Sequence, residues 1–297
     1  MGKLRNEWNT TFHGGNMTMK LLLINCIIFL AYNIILAIFI LSGVGDVLIS
    51  YAHRYLCLPS NLRLLVLQLW SMFTYMFFQT DVLHILFNML ALYTFGNLFE
   101  EYLGRAKLLA LYLCAGLAGG ILYLLAYNTL PYFSNADALV KGASGSIVGI
   151  MVSTAVLLPG HELHLRLIGP VKLKWIAIIF FFLFVINSWG SNAGGEMVHI
   201  GGAVFGFIYM VQLQKGNDLT LWLQKIIAKL SGKKGSPHMR VVRNKRTESD
   251  EQFNIRKKTK QEEVDEILDK INKSGFNSLS ESERQILFKE SNRKGGG

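Results

Sequence analysis

The stretch Gly142-Ala143-Ser144-Gly145-Ser146-Ile147-Val148-Gly149-Ile150-Met151 sets a serine between glycines at the head of a run that stays uncharged to Leu158. A second phrase of this kind, His199-Ile200-Gly201-Gly202, stands near the head of another uncharged run that reaches Leu213. A serine between glycines and a histidine are poor choices for packing against lipid. They are the pair acyl transfer needs if a hydroxyl is to become nucleophilic. Whether the surrounding runs cross a membrane decides the fold.

Working outward, similar runs recur at Leu21–Leu41, Val82–Phe99, Leu108–Tyr127, Ile147–Leu158, Leu173–Ile186 and Val198–Leu213. About 20 apolar residues cross the hydrocarbon core as a helix, somewhat fewer where neighbours cover the ends. The 297-residue chain is 51% hydrophobic and its mean hydropathy is positive. These runs predict an all-α polytopic membrane protein with six transmembrane helices, the fourth short unless it begins near Ser144. The first run is too long for a secretory h-region and lacks a cleavage site, so it counts as a span.

Charge gives the orientation. Lys3, Arg5 and Lys20 precede the first span; Arg105 and Lys107 separate the second from the third; Arg166, Lys172 and Lys174 separate the fourth from the fifth. The loops before the fourth and sixth spans carry little net charge, with Lys141 against Asp137 in one and Glu196 in the other. The loop after the first span is mixed, with Arg54 and Arg63 offset by Asp46 and Asp81. The positive-inside rule then places both termini in the cytoplasm. From Lys215 onward there are 19 basic and 12 acidic residues, so most of the formal charge of +10 sits in the tail. Anionic lipid headgroups are a sufficient partner for that charge, and no nucleic-acid partner is implied. Cys26, Cys57 and Cys114 are an odd set, two of them inside spans, which does not suggest a disulfide framework.

The organisation expected is a cytoplasmic segment over 1–20, a six-span core over 21–214, a basic linker over 215–260 and a helical hairpin over 261–297. Within the core, 44–80 mixes arginines with Trp70, Phe73, Tyr75, Phe77 and Phe78, the composition of a segment lying in the outer interface. In the tail, Val264, Ile267, Leu268 and Ile271 follow helical spacing, with Gly275 placed to end that helix. Ser280 and Glu283 form a capping-box pattern for a second helix that carries Ile286, Leu287 and Phe288.

With both termini inside, spans two, four and six all enter from the outer face. His84 and Asn88 fall early in span two, Ser144 opens span four, and His199 lies early in span six, so the four share a depth. Intramembrane polar groups are costly, and their convergence from three spans points to function. Ser144 is the candidate nucleophile and His199 the candidate base. His84 and Asn88, four apart on one helix face, and the free Ser144 N–H are candidate oxyanion donors. Gly142 and Gly145 leave room beside the serine. Gly202 and Gly206 match the spacing of Gly145 and Gly149, as two helices in close contact require. Each feature alone also fits ordinary helix packing. No cofactor or metal is implied: His161, Glu162 and His164 lack the zinc-binding spacing and a third ligand. No aspartate lies in mid-span, which argues against an aspartyl protease. A midplane transporter site would bring broken helices and internal repeats, and neither is evident.

Taken together these residues resemble a rhomboid intramembrane serine protease over roughly residues 70–206. His84 and Asn88 match the family's His-x-x-x-Asn, and Gly142, Ser144 and Gly145 its Gly-x-Ser-Gly. His199, Gly202 and Gly206 match its His-x-x-Gly-x-x-x-Gly. Trp70 and the Glu100–Gly104 pair resemble structural positions of the family. The resemblance implies a Ser–His dyad without an acidic third member, and none is expected nearby. It further implies an oxyanion site of Ser144 N–H, His84 and Asn88, and a water-filled cavity opening outward. Substrates would be single-span membrane proteins cut near the outer end of the span, in a bacterial cytoplasmic membrane, with entry between spans two and five. Three positions depart from the family: Ser71 where arginine is frequent, Gln79 where histidine is common, and Val148 where a ring often packs beneath the histidine. The last predicts a looser His199 ring. The alternative function is a non-catalytic relative that binds and escorts membrane segments.

Overall fold

The structure is a computed structural model that describes residues 16–133, 137–165, 169–187, 192–230, 265–267, 269–271, 273 and 279–283. In the unit up to residue 234, four helices are long and apolar enough to cross a membrane. They are α1 (Met17–Leu41), α5 (Val82–Leu103), α6 (Arg105–Thr129) and α9 (Ala193–Gln214). Two shorter apolar helices, α7 (Ser144–Leu157) and α8 (Leu173–Asn187), complete a helical polytopic membrane fold.

Helix α7 is the centre of the bundle. Every residue from Gly145 to Ala155 is buried, with α5, α6, α8 and α9 packed around it. A helix apolar on all sides is what such a position requires. On α9, a Cβ at Gly202 would collide with the Gly145 carbonyl oxygen, and one at Gly206 with that of Gly149. Ser153 on α7 donates to the Gly206 carbonyl at 2.8 Å. This seam brings two backbones together where any side chain would hold them apart.

The start of α1 lies against the end of α5. Asn16 caps the helix, and the Glu100 carboxylate accepts from Met17 N–H at 2.7 Å, Thr18 N–H at 2.8 Å and the Thr18 hydroxyl at 2.9 Å. Amide groups left open at a helix start are thereby satisfied inside the protein. Gly104, at φ +81°, makes the one-residue turn from α5 to α6, a conformation that favours glycine.

Residues 44–80 form no span. They fold into α2 (Gly45–Leu56), α3 (Leu62–Leu67) and α4 (Ser71–Thr74), leaving Tyr51, Val66, Leu67, Leu69 and Trp70 exposed. The Trp70 indole N–H donates to the Tyr55 carbonyl at 2.9 Å and the Thr74 hydroxyl to the Leu56 carbonyl at 3.0 Å, tying α4 to the end of α2. The all-helical expectation misses two short antiparallel ribbons. Strand β1 (Leu58–Pro59) pairs with β2 (Leu139–Val140), and β3 (Glu162–Leu165) with β4 (Gly169–Lys172). Strands of two and four residues give too little alternation to be read from sequence.

The stretch expected as a basic linker contains a further helix, α10 (Leu221–Leu230). Asp218 starts it, accepting from Thr220 N–H at 2.9 Å and from Gln224 Nε2 at 2.9 Å. In the second unit, residues 265–267, 269–271 and 273 are helical, with Ile267 buried. Ser280 N–H donates to Glu283 at 2.7 Å, and Glu283 N–H returns to the Ser280 hydroxyl at 3.4 Å, the reciprocal geometry of a capping box. Val264, Leu268, Gly275 and the Ile286–Leu287–Phe288 cluster lie outside the described residues.

Candidate active site

Ser144 is the first residue of α7, and the segment leading to it is tied on several sides. Residue 138 accepts from Ser60 N–H at 2.9 Å and from the Tyr123 hydroxyl at 2.8 Å, the β1–β2 pairing follows, and Gly142 N–H donates to the Tyr75 carbonyl at 2.8 Å. Gly142 then turns the chain at φ +124°, where an L side chain is strained. A Cβ there would lie 3.1 Å from His84 Cε1 and 3.8 Å from Ser144 Oγ. The glycine keeps open the space between histidine and hydroxyl. At 14 residues, α7 rises only about 21 Å against a hydrocarbon core of about 30 Å. A short central helix of this kind lets its head stand back from the bilayer surface.

His199 projects from α9 so that its Nε2 lies 2.7 Å from Ser144 Oγ. The approach follows from the glycine seam: Val198 sits against Gly145, where a Cβ would come within 2.5 Å of its Cγ1. The other ring nitrogen, Nδ1, lies 3.0 Å from Glu196 Oε2, with both side chains nearly buried. This corrects the expectation that no acidic group is available near the histidine. Glu196 reads as loop charge in the sequence, but α9 begins at Ala193, which puts residues 196 and 199 one turn apart on one face. That i, i+3 spacing was the signal to follow.

The ring expected to be missing beside His199 is also present. Val148 is buried without one, and the Phe184 ring of α8 lies 4.5 Å from the imidazole, centroid to centroid, tilted by 47°. The ring comes from another helix, which spacing within the serine's own helix does not reveal.

His84 sits by Gly142, its backbone N–H held by the Asp81 carboxylate at 2.7 Å. Asn88 is buried and donates to Gln79 Oε1 at 2.7 Å; Gln79 donates to Asn25 Oδ1 at 3.1 Å. Asn25 Nδ2 is shared between the Leu21 carbonyl and the Tyr112 hydroxyl, which itself donates to the Met76 carbonyl at 3.1 Å. Gln79 therefore links Asn88 to span one through a chain of paired amides. Ser71 is buried, and its hydroxyl has no hydrogen-bond partner among the described residues. Trp70 and Glu100 are engaged elsewhere, Trp70 with the Tyr55 carbonyl and Glu100 at the α1–α5 junction.

Similarity to known proteins agrees with this architecture. A family model described as the Rhomboid domain matches residues 66–215, and one described as a family of unknown function (DUF6576) matches residues 247–293. The chain is 31% identical to RHOMBOID-like protein 12, mitochondrial, of Arabidopsis thaliana, over 50% of this chain and 48% of that protein. It is 32% identical to the Rhomboid protease GluP of Bacillus subtilis, over 46% of this chain and 25% of that protein. The Rhomboid protease AarA of Providencia stuartii is 26% identical over 66% of this chain and 71% of its own length. The chain thus spans half or less of the length of the first two relatives. With half of its residues matched by that domain, on an integral membrane fold of this order of helices, the chain belongs to the rhomboid family.

Proposed function

We propose that this protein is an intramembrane serine endopeptidase in which Ser144 attacks and His199 is the base. The observation that carries the reading is the 2.7 Å separation of Ser144 Oγ and His199 Nε2, made by two different helices. A candidate base has to stand within such reach of the proton it removes. The Ser144 proton passes to Nε2 as Oγ bonds to the scissile carbonyl carbon, and the carbonyl oxygen takes the charge. The Ser144 N–H at the head of α7, His84, and the second amide hydrogen of Asn88, whose first is held by Gln79, are assigned to that oxygen. His199 then returns the proton to the leaving amine, and water releases the acyl group by the same steps reversed.

The substrates assigned are single-span membrane proteins cut where the helix unwinds, since an intact helix withholds its carbonyls. The loop charges support cytoplasmic termini and a site facing the outer side of a bacterial cytoplasmic membrane. Entry between α5 and α8 is favoured by the packing, because α8 rests on α7 and α9 and has at most marginal contact with α5. The basic tail is assigned to anionic headgroups. The test is cleavage of a reporter single-span substrate by the purified chain in liposomes, beside Ser144→Ala and His199→Ala. Cleavage should vanish in both variants. Wild-type protein that neither cleaves nor is labelled at Ser144 by a fluorophosphonate would instead be a binder of membrane segments.

A further inference from the structure

Glu196 is buried to 8% exposure at the start of a membrane helix, and its carboxylate is directed at the imidazole. The first turn of a helix favours an acidic group, because unpaired N–H groups gather there. A carboxylate only accepts hydrogen bonds, so the ring nitrogen facing it, Nδ1, must be the one that carries the proton. That leaves the lone pair of Nε2 directed at the Ser144 hydroxyl. A histidine without an acceptor on the far side is free to hold the opposite tautomer, which cannot take the serine proton.

Resting on the protease reading above, we propose that Glu196 is a positioning residue that makes the working unit Ser144–His199–Glu196. It fixes the tautomer and the ring plane, and it stabilises the imidazolium formed when Nε2 receives the Ser144 proton. The carboxylate itself takes no proton in the cycle; it accepts from Nδ1–H before, during and after transfer. Phe184 of α8 supports the ring from a second side, so that carboxylate, phenyl ring and hydroxyl together confine the imidazole. Among the described residues, Glu196 on its own helix and His84 of α5 are the titratable groups that act on His199, with Asp81 and Lys141 acting in turn on His84. From α8 it meets the phenyl ring of Phe184, which does not titrate.

The experiment compares wild type with Glu196→Gln, Glu196→Ala and Glu196→Asp, using full-length protein in liposomes and the reporter substrate. The glutamine and alanine variants should lose at least about tenfold in kcat with KM near wild type; an isolated buried acid behind a histidine can be worth roughly 10⁴-fold. Aspartate should restore part of the loss. Without the carboxylate the imidazolium is less stable, and catalysis needs the neutral base. The acidic limb of kcat/KM should therefore move to lower pH in Glu196→Gln, a shift that a merely structural glutamate would not produce. An unchanged kcat and limb in that variant, with Ser144→Ala inactive, would overturn the role of Glu196 and leave the protease standing. Retained cleavage in Ser144→Ala would sink the protease reading itself. Should the variants fail to fold, ¹⁵N spectra of wild-type His199, assigned by difference from His199→Gln, decide the matter. A proton on Nδ1 supports the inference and a proton on Nε2 overturns it.

Discussion

Helices α7 and α9 meet backbone to backbone, whereas α8 leans on the same pair around an apolar crevice of about 490 Å³ lined by residues such as Val152, Phe181 and Val204. The first contact has no tolerance. Gly145, Gly149, Gly202 and Gly206 face each other with no room for a methyl. The second contact is made largely by side chains, and much of α8, including Ile179, Phe182 and Ile186, is exposed where lipid would lie. The difference separates two demands on one site. The serine and histidine need a fixed separation, which a glycine seam sets through the rigid backbone. On the proposed protease reading, a bulky substrate needs a side that yields, and a helix held by exchangeable side chains would supply it.

The largest expected effect comes from breaking the seam. Gly202→Ala drives a Cβ into the Gly145 carbonyl, so α7 and α9 must separate. Overpacking of this kind costs about 1–3 kcal/mol. A displacement near 1 Å at a reacting pair can cost about 100-fold in rate. Reporter cleavage should fall by at least that factor, while Gly160→Ala, whose Cβ meets nothing within 4 Å among the described residues, should cleave like wild type. Equal activity in the two variants would show that the seam does not set the separation.

Next is the polar chain behind Asn88. Gln79→Leu leaves the buried Asn88 amide and Asn25 carbonyl without their partner. An unsatisfied buried polar group costs about 1–3 kcal/mol. Thermal stability should drop on that scale, with cleavage reduced roughly tenfold, as expected when one proposed oxyanion donor is loosened rather than deleted. Wild-type rates in this variant would show that Asn88 is held well enough without Gln79.

These two sites also mark what the sequence disclosed. Ser144, His199, His84 and Asn88 were legible because each is a polar interruption in an apolar run, and matched spacing announced the seam. Glu196 was hidden by a boundary error. The uncharged run begins only at Val198, so the glutamate reads as loop charge, although helical spacing from His199 places it on the same face. Phe184 was hidden because one phenylalanine in a run of aromatics carries no mark of what it will touch. Gln79 looks like a departure from a family pattern, and only the fold shows that it joins Asn88 to Asn25, which lies 54 residues before Gln79 in the chain.

On the yielding side, Phe184→Ala removes the ring beside His199 and leaves the seam intact. Such ring contacts are worth about 0.5–1.5 kcal/mol, so kcat should fall only some three- to tenfold. Val148→Phe should not compensate, since Val148 is already buried and Phe184 occupies the ring's place. A crosslink between α5 and α8 should suppress cleavage of the membrane substrate more than fluorophosphonate labelling of Ser144. Equal suppression of both would mean that the link distorts the site instead of closing a route.

The smallest effect concerns how the α2–α4 segment is held to the serine's approach. Lys141, one residue before Gly142, lies with Nζ 3.0 Å from His53 Nε2 on α2. An ammonium group only donates, so this contact requires a neutral imidazole. Partial burial, and then the charge of Lys141, hold the His53 pKa below its ordinary 6.5. Between the folded and unfolded values the unfolded chain binds more protons, so stability is present above about pH 6.5 and lost as pH falls through the folded value. The melting temperature should decline on acidification over that window, and His53→Gln, which keeps an acceptor for Lys141 but does not titrate, should flatten the decline. The carboxylates that titrate at lower pH are common to both proteins, so the difference between the two curves isolates His53. Parallel curves would mean that Lys141 reaches solvent when His53 protonates and that the contact contributes nothing to holding α2 against the loop. A flattened curve with unchanged cleavage at neutral pH would place the contact in the frame of the site rather than in its chemistry, since His53 neither touches Ser144 nor shares a hydrogen bond with His199.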